Sequence, residues 1–138
     1  MDELTKALSI ELWVLIAYTL WCTCLTLVLA IGRSMSQGGT KWAIGNRHTS
    51  FDFPPWVTRC ARAHTNALEN LVPFGFIILA LYLTGRDNTM TSWTALFFLG
   101  ARIAHSITYL LGLTPLRTLF HILSIIALAV LASVFLGG

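Results

Sequence analysis

A stretch near the middle of the chain carries polar side chains that could bind or transform a charged ligand. Residues 59–74 read RCARAHTNALENLVPF. On a helix, Arg62, Asn66 and Glu69 recur at i, i+4 and i+7, which places them on one face. Such a face is costly inside an apolar helix unless it meets protein, water or a ligand. We therefore expect other parts of the chain to place partners beside it.

The composition indicates which elements position this stretch. Of 138 residues, 56% are hydrophobic and 11% are charged, against about 25% charged in a typical soluble domain. So little charge excludes a soluble helical bundle, and several stretches are long and apolar enough to cross a bilayer. We predict an all-α membrane protein whose single domain, 1–138, has four transmembrane helices in an up-down-up-down bundle. The predicted spans are about 10–32, 57–83, 91–111 and 116–136, with a loop at 33–56.

Basic residues near the span ends predict the orientation of the chain. Cytoplasmic loops of membrane proteins carry an excess of Lys and Arg. On the other side of the predicted bundle only two basic residues occur, Lys6 and Arg86, together with the acids Asp2, Glu3 and Asp87. The more basic side holds six: Arg33, Lys41, Arg47, Arg59, Arg62 and Arg117. We expect the 33–56 loop in the cytoplasm and both termini on the opposite side. The membrane would be the inner membrane of a bacterium or the endoplasmic reticulum of a eukaryote.

Two charged residues fall within the predicted spans at similar depth. At 1.5 Å per residue, Glu69 lies about 18 Å and Arg102 about 15 Å from the cytoplasmic end. Intramembrane charges normally pair. We therefore predict that Glu69 and Arg102 interact, directly or through a bound ligand. A purely structural pair that fixes helix register remains open.

The same depth count gathers further polar residues into one pocket. Asn66 falls near His105, Arg62 falls near Tyr109, and Arg117 opens the fourth span at the cytoplasmic edge. These guanidinium, carboxylate, amide and phenol groups suit a small zwitterion with several carboxylates and an amine. The predicted pocket comprises Arg62, Asn66, Glu69, His105, Tyr109 and Arg117.

Other chemistries lack support in the sequence. No cluster has metal-ligand spacing, so no metal is predicted, and no basic run suggests nucleic acid. Cys22, Cys24 and Cys60 are interpreted as small apolar residues. His64 could simply face the lipid headgroups. His121 could be a hydrogen-bonded polar residue between helices instead of a ligand-binding one.

Three segments resemble a known family. The second span contains RAHTNALENLVPF, the third contains GARIAHSITY, and the fourth opens with PLRT. In order and spacing these resemble the membrane-associated proteins in eicosanoid and glutathione metabolism. The resemblance implies a homotrimer that binds glutathione as co-substrate between subunits near the cytoplasmic face. By position, Arg62, Asn66 and Glu69 would hold its carboxylates and amine. Tyr109 would contact its backbone, Arg117 its sulfur, and Arg33 would reach it from a neighbouring subunit.

The resemblance implies a mechanism as well. A thiol is a weak nucleophile until it ionises, and an arginine beside the sulfur stabilises the thiolate. The catalytic residues would be Arg117 and Thr118, whose hydroxyl can donate a hydrogen bond to the sulfur. The partner substrate would be an apolar electrophile or lipid hydroperoxide that arrives from the membrane lipids.

Some positions depart from the eicosanoid branch of that family. Thr65 replaces a basic residue, and no tyrosine occurs near His121. The long loop is more similar to bacterial members. We therefore predict a glutathione-dependent transferase or peroxidase with no named eicosanoid substrate. The alternatives are a non-catalytic membrane protein that binds a lipid or glutathione-like ligand, and a small transporter.

Overall fold

The computed structural model describes residues 8–48 and 50–136. This part of the chain contains five helices: α1 Ile10–Met35, α2 Gly39–Ile44, α3 Pro55–Thr84, α4 Thr89–Leu111 and α5 Thr114–Ser133. All except α2 are long and apolar enough to cross a membrane. The all-α class with four candidate membrane spans is therefore present. Asp2, Glu3 and Lys6, used in the orientation argument, lie outside the described residues.

The predicted 33–56 loop differs most from the structure. Helix α1 continues to Met35, and the short α2 occupies part of the segment predicted to be a turn-rich connection. Two glycines explain how the chain reverses between them. Gly38 has a φ of 76°, and a Cβ on Gly39 would clash with the Arg33 carbonyl oxygen. Glycine meets both demands without strain, so α2 can fold back on the end of α1.

Local sequence signals determine where the other helices end. Gly85 and Gly112 end α3 and α4 in the left-handed conformation, the usual role of glycine after a helix. Asn88 begins α4 through a capping box with Thr91. Pro115 stands in the first turn of α5, where a proline costs no backbone hydrogen bond. As a result α5 covers Thr114–Ser133, slightly earlier than the predicted 116–136.

The apolar core lies where α1, α3 and α4 meet. The Phe74 and Phe98 rings stack with centroids 4.1 Å apart, and the Tyr18 ring meets the Phe98 ring edge-on at 5.4 Å. All three side chains are fully buried. Polar side chains are also buried toward one end of this core, among them Arg102, His105 and Ser124. These residues lead directly to the candidate site.

Candidate active site

The Arg102 side chain of α4 connects all four long helices. It is fully buried, and its Nη2 donates to the side-chain Oδ1 of Asn66 at 2.6 Å and to the Asn66 carbonyl oxygen at 3.2 Å. Its Nε donates to the Tyr18 hydroxyl at 3.1 Å, and its Nη1 donates to the Ser124 hydroxyl at 3.4 Å. Tyr18 in turn donates to the Ala67 carbonyl oxygen at 2.9 Å. The guanidinium is thus held by neutral oxygens from α1, α3 and α5.

This network corrects the predicted direct pair between Glu69 and Arg102. Among the described residues no ion pair joins them, because Asn66 occupies the position expected for the carboxylate. The side of α3 that faces the bundle carries Ala63, Ala67 and Asn70, whereas Glu69 is exposed. Glu69 is therefore turned away from Arg102. An interaction between them through a ligand stays a prediction.

Glu69 instead lines a cavity on the outer side of α3, which we call the outer cavity. It has a volume of about 340 Å³ and lies between α3 and α4. The charged groups at its wall are the Arg62 guanidinium and the Glu69 carboxylate, and Tyr109 adds a phenol. Its lining residues are Ala61, Arg62, Thr65, Asn66, Glu69 and Tyr109.

A second, smaller cavity lies between α3, α4 and α5, and we call it the inner cavity. Its volume is about 160 Å³, and its lining residues are Asn66, His105, Arg117, Thr118 and His121. Asn66 belongs to the walls of both cavities. The six residues predicted to line one pocket are thus brought together, but they are divided between two cavities that share Asn66. Thr118 lines the inner cavity, and its hydroxyl donates to the Thr114 carbonyl oxygen at 3.1 Å.

Aromatic contacts hold the charged end of this site. The Arg117 guanidinium carbon lies 4.4 Å from the centroid of the Tyr109 ring, within cation–π range. The Tyr109 ring meets the His105 ring at 5.7 Å, and the His105 ring lies 5.7 Å from the His121 ring. The Arg117 charge is thus placed against Tyr109, which lines the outer cavity, while Arg117 itself lines the inner one.

The two imidazoles have no hydrogen-bond partners in the described structure. The Nδ1 atoms of His105 and His121 are buried and unpaired, and no other hydrogen bond engages either ring. The interpretation of His121 as a hydrogen-bonded residue between helices is therefore wrong for this side chain. His64 differs, because its Nε2 lies 2.9 Å from the Thr26 hydroxyl.

Arg33 is the one predicted site residue that the structure places elsewhere. Its guanidinium carbon lies 5.8 Å from the ring centroids of Trp42 and Phe53, and it lines neither cavity. Its contact with a ligand from a neighbouring subunit stays a prediction. The structure also adds Tyr18 and Ser124, which sequence reasoning missed. A signal existed for Tyr18, which is the one tyrosine of the uncharged apolar stretch 12–31.

The donor set of the two cavities suits an organic zwitterion better than a metal. In the described part of the chain, no three His, Cys, Asp or Glu side chains gather closely enough to hold an ion. The outer cavity offers one cation and one anion, and the inner cavity offers a cation with uncharged hydrogen-bonding groups. A ligand would match this pattern if one end carried a positive and a negative group for the outer cavity and the other end carried an anionic group for the inner cavity.

Comparison with known proteins places these residues in a wider context. A sequence model described as the MAPEG family matches residues 14–137. Microsomal glutathione S-transferase 1 of Mus musculus is 48% identical over 60 residues, which is 44% of this chain and 37% of that protein. Human prostaglandin E synthase is 38% identical over 72 residues, which is 51% of this chain and 47% of that protein. The matches thus span less than half the length of these relatives.

Proposed function

The chain belongs to the MAPEG family and is an integral membrane protein, and we propose that it is a glutathione-dependent transferase or peroxidase. Its substrates would be apolar electrophiles or lipid hydroperoxides. The observation that carries this proposal is the pair of cavities joined at Asn66. One cavity has the charges to hold a zwitterionic peptide, and the other has a cation where a thiolate would lie. A relative named a microsomal glutathione S-transferase supports the same ligand.

The outer cavity fits the peptide part of glutathione. Glutathione carries two carboxylates, one amine and a thiol. The Arg62 guanidinium can bind a carboxylate through two parallel hydrogen bonds, and the Glu69 carboxylate can bind the ammonium group. The volume of about 340 Å³ lies at the lower end of the range for small-molecule sites. A partner chain that adds a further wall would enlarge the contact.

The inner cavity fits the sulfur. Arg117 supplies a fixed positive charge, which lowers the free energy of a thiolate more than that of a thiol. Because Arg117 is held against Tyr109, little reorganisation is needed when the charge of the sulfur develops. The Thr118 hydroxyl can turn from the Thr114 carbonyl to donate to the sulfur.

The exposure of Arg62 and Glu69 supports assembly of several chains. Both side chains are exposed in the single chain, although both lie within a helix that can span the membrane. Charges that face lipid are costly, so a neighbouring copy would cover them. We propose a homotrimer with the ligand between subunits, built from up-down-up-down bundles. The 33–56 segment would face the cytoplasm, and both termini would lie on the other side.

The proposed reaction joins a water-soluble and a membrane-soluble reactant. With an aryl halide, the thiolate sulfur forms a bond to the ring carbon, the carbon–halogen bond breaks and halide leaves. The proton of the thiol passes to water. With a hydroperoxide, the thiolate attacks one peroxide oxygen and the O–O bond breaks. The alkoxide takes up a proton, and a second glutathione converts the oxidised sulfur to a disulfide with release of water.

Two measurements on the purified protein test this function. Calorimetry should detect glutathione binding, and the dipeptide cysteinylglycine should bind more weakly because it lacks the γ-glutamyl group. A chlorodinitrobenzene assay should show transfer of the glutathione sulfur, and a lipid hydroperoxide assay should show its reduction. Absence of glutathione binding would overturn the proposal. Binding without turnover of either substrate would favour the non-catalytic binding protein.

A further inference from the structure

We infer that His121 is a further catalytic residue of this site, whose imidazole Nε2–H donates a hydrogen bond to the thiolate sulfur of bound glutathione. This inference rests on the proposed function and deepens it. The family resemblance implied Arg117 and Thr118 as catalytic residues, and it did not imply His121. The surroundings of its ring support this role in three ways.

The His121 ring has free hydrogen-bonding capacity. The His121 Nδ1 atom is buried against protein without any partner, and no hydrogen bond from another described residue engages Nε2. Buried polar atoms are paired in most proteins. The side of the ring that carries Nε2 is therefore the one left to meet a ligand, and His121 lines the inner cavity.

The charge of the inner cavity is positive. The inner cavity contains the Arg117 guanidinium, two imidazoles, an amide and a hydroxyl, but no carboxylate. The Arg102 guanidinium does not line this cavity, but it is bonded to the Asn66 side chain, which does. The lining therefore offers one cation and several groups that can donate hydrogen bonds, with no anionic group to match them. Such a space suits one anionic atom, and a thiolate sulfur beside Arg117 supplies it.

The turn of α5 that carries His121 is held from two sides. The Ser124 hydroxyl donates to the His121 carbonyl oxygen at 2.8 Å, and Ser124 itself accepts from Arg102. On the other side the His121 ring lies 5.7 Å from the His105 ring. These contacts fix the turn of α5 that carries His121. The imidazole is thereby held at the cavity wall before the thiolate forms, as electrostatic stabilisation requires.

The experiment compares His121→Leu, which removes the donor, with His121→Gln, whose amide nitrogen can take the place of Nε2. Glutathione is bound to each purified protein, and its ultraviolet thiolate absorbance is followed against pH. Loss of one hydrogen bond to a charged group should raise the pKa of the bound thiol by about 1 to 2 pH units. In His121→Leu we expect this rise in the thiol pKa together with a fall in the transfer rate. In His121→Gln both the thiol pKa and the transfer rate should largely return to their wild-type values. Glutathione affinity should change little in both when it is measured below the pKa of the bound thiol, where the thiol form is the one bound.

A matched control is His64→Leu, because the His64 ring is bonded to Thr26 and lines neither cavity. It should keep the wild-type thiol pKa. Three results would overturn the inference: an unchanged thiol pKa in His121→Leu, failure of a folded His121→Gln to restore it, or a lower rate with unchanged thiolate. The last would place His121 at the second substrate instead. If wild type bound no glutathione, the proposed function itself would fail, which is a distinguishable outcome.

Discussion

Asn66 is the single residue on which both cavities depend. Arginine has only hydrogen-bond donors, so the atom of Asn66 that meets the Arg102 guanidinium at 2.6 Å must be the oxygen, Oδ1. The amide nitrogen therefore points the other way, as a donor. Because Asn66 lines both cavities, Arg102 presents that donor to any ligand that bridges them. Arg102, which lines neither cavity, thus sets the orientation of the Asn66 amide, which lines both.

A double-mutant cycle tests this contact. Arg102→Met combined with Asn66→Leu should show a coupling free energy of about 1 kcal/mol when the free energy of unfolding is measured in detergent. This lies within the range measured for polar contacts in membrane proteins. The matched cycle of Arg102→Met with Glu69→Gln should show coupling near zero in the ligand-free protein. Coupling in the second cycle but not the first would restore the direct Glu69–Arg102 pair and contradict the structure.

Arg117 is the residue for which we predict the largest effect on rate. Replacing it with Leu removes the charge that favours the thiolate, while Arg62, Asn66 and Glu69 still hold the peptide. We expect turnover to fall by about 10²–10³, or about 2.7–4 kcal/mol, by analogy with the loss of an oxyanion-hole donor. Glutathione affinity should change little when it is measured below the pKa of the bound thiol, where the thiol form is the one bound. Steady-state kinetics and calorimetry on the same preparation measure both.

The control for this substitution is Arg117→Lys, which keeps the charge. It should retain more activity than Arg117→Leu. If Arg117→Leu kept the wild-type turnover, the positive charge that activates the sulfur would have to come from another residue.

Among the elements, α1 and α4 are joined at their first turns by a buried acid. The Glu11 carboxylate is 2% exposed, and its Oε1 accepts from the Thr91 hydroxyl at 2.6 Å and from the Ser92 hydroxyl at 2.9 Å. These hydroxyls lie at the N-terminus of α4, where the helix dipole favours a negative charge. Glu11 therefore aligns α1 with α4, the helix that carries Arg102, His105 and Tyr109.

Substitution of Glu11 should weaken this alignment in two steps. Glu11→Gln removes the charge but keeps an acceptor, and should lower the free energy of unfolding by about 0.3–2 kcal/mol. Glu11→Ala also removes the acceptor and should cost about 1–3 kcal/mol more. The comparison is Asp87→Asn, an exposed acid at the same end of α4, whose effect should stay within about 0.5 kcal/mol. Thermal unfolding in detergent would rank the three; equal effects of Glu11→Ala and Asp87→Asn would contradict the assigned role.

For the whole molecule, the outer surface of the bundle is largely apolar, with many large hydrophobic side chains exposed on the four long helices. This surface suits lipid and neighbouring copies. The proposed orientation rests on the basic residues at one end of the bundle. At that end Arg59 Nε donates to the Leu110 carbonyl oxygen at 2.8 Å, which brings the start of α3 beside the end of α4.

Cysteine labelling tests the orientation. Gln37 and Asp87 are exposed at opposite ends of the long helices, whereas Gly39 is unsuitable because a Cβ there would strike the Arg33 carbonyl. In a background without Cys22, Cys24 and Cys60, Gln37→Cys should react with a reagent delivered from the cytoplasm. Asp87→Cys should react only from the other side. The cysteine-free protein is the control, and the reverse labelling pattern would place the site at the opposite membrane face.

Local features of the sequence were sufficient to predict the helical class, the four apolar spans and the residue types of the site. Apolar length, glycine and proline positions, and the i, i+4, i+7 pattern of Arg62, Asn66 and Glu69 are all properties of neighbouring residues. The depth count also placed Asn66 near His105 and Arg62 near Tyr109, and each pair lines one cavity. Depth along a helix depends only on the rise per residue.

Only the tertiary structure decided which of these residues face one another. Asn66 and Glu69 differ in depth by about 4.5 Å but also by about 60° around the helix, given 3.6 residues per turn. The rotation of α3 that buries Ala63 and Ala67 turns Asn66 toward Arg102 and leaves Glu69 outside. That rotation is set by the packing of α3 against α1 and α4, which no local pattern encodes. For the same reason the unpaired imidazole of His121 became visible only in the folded chain.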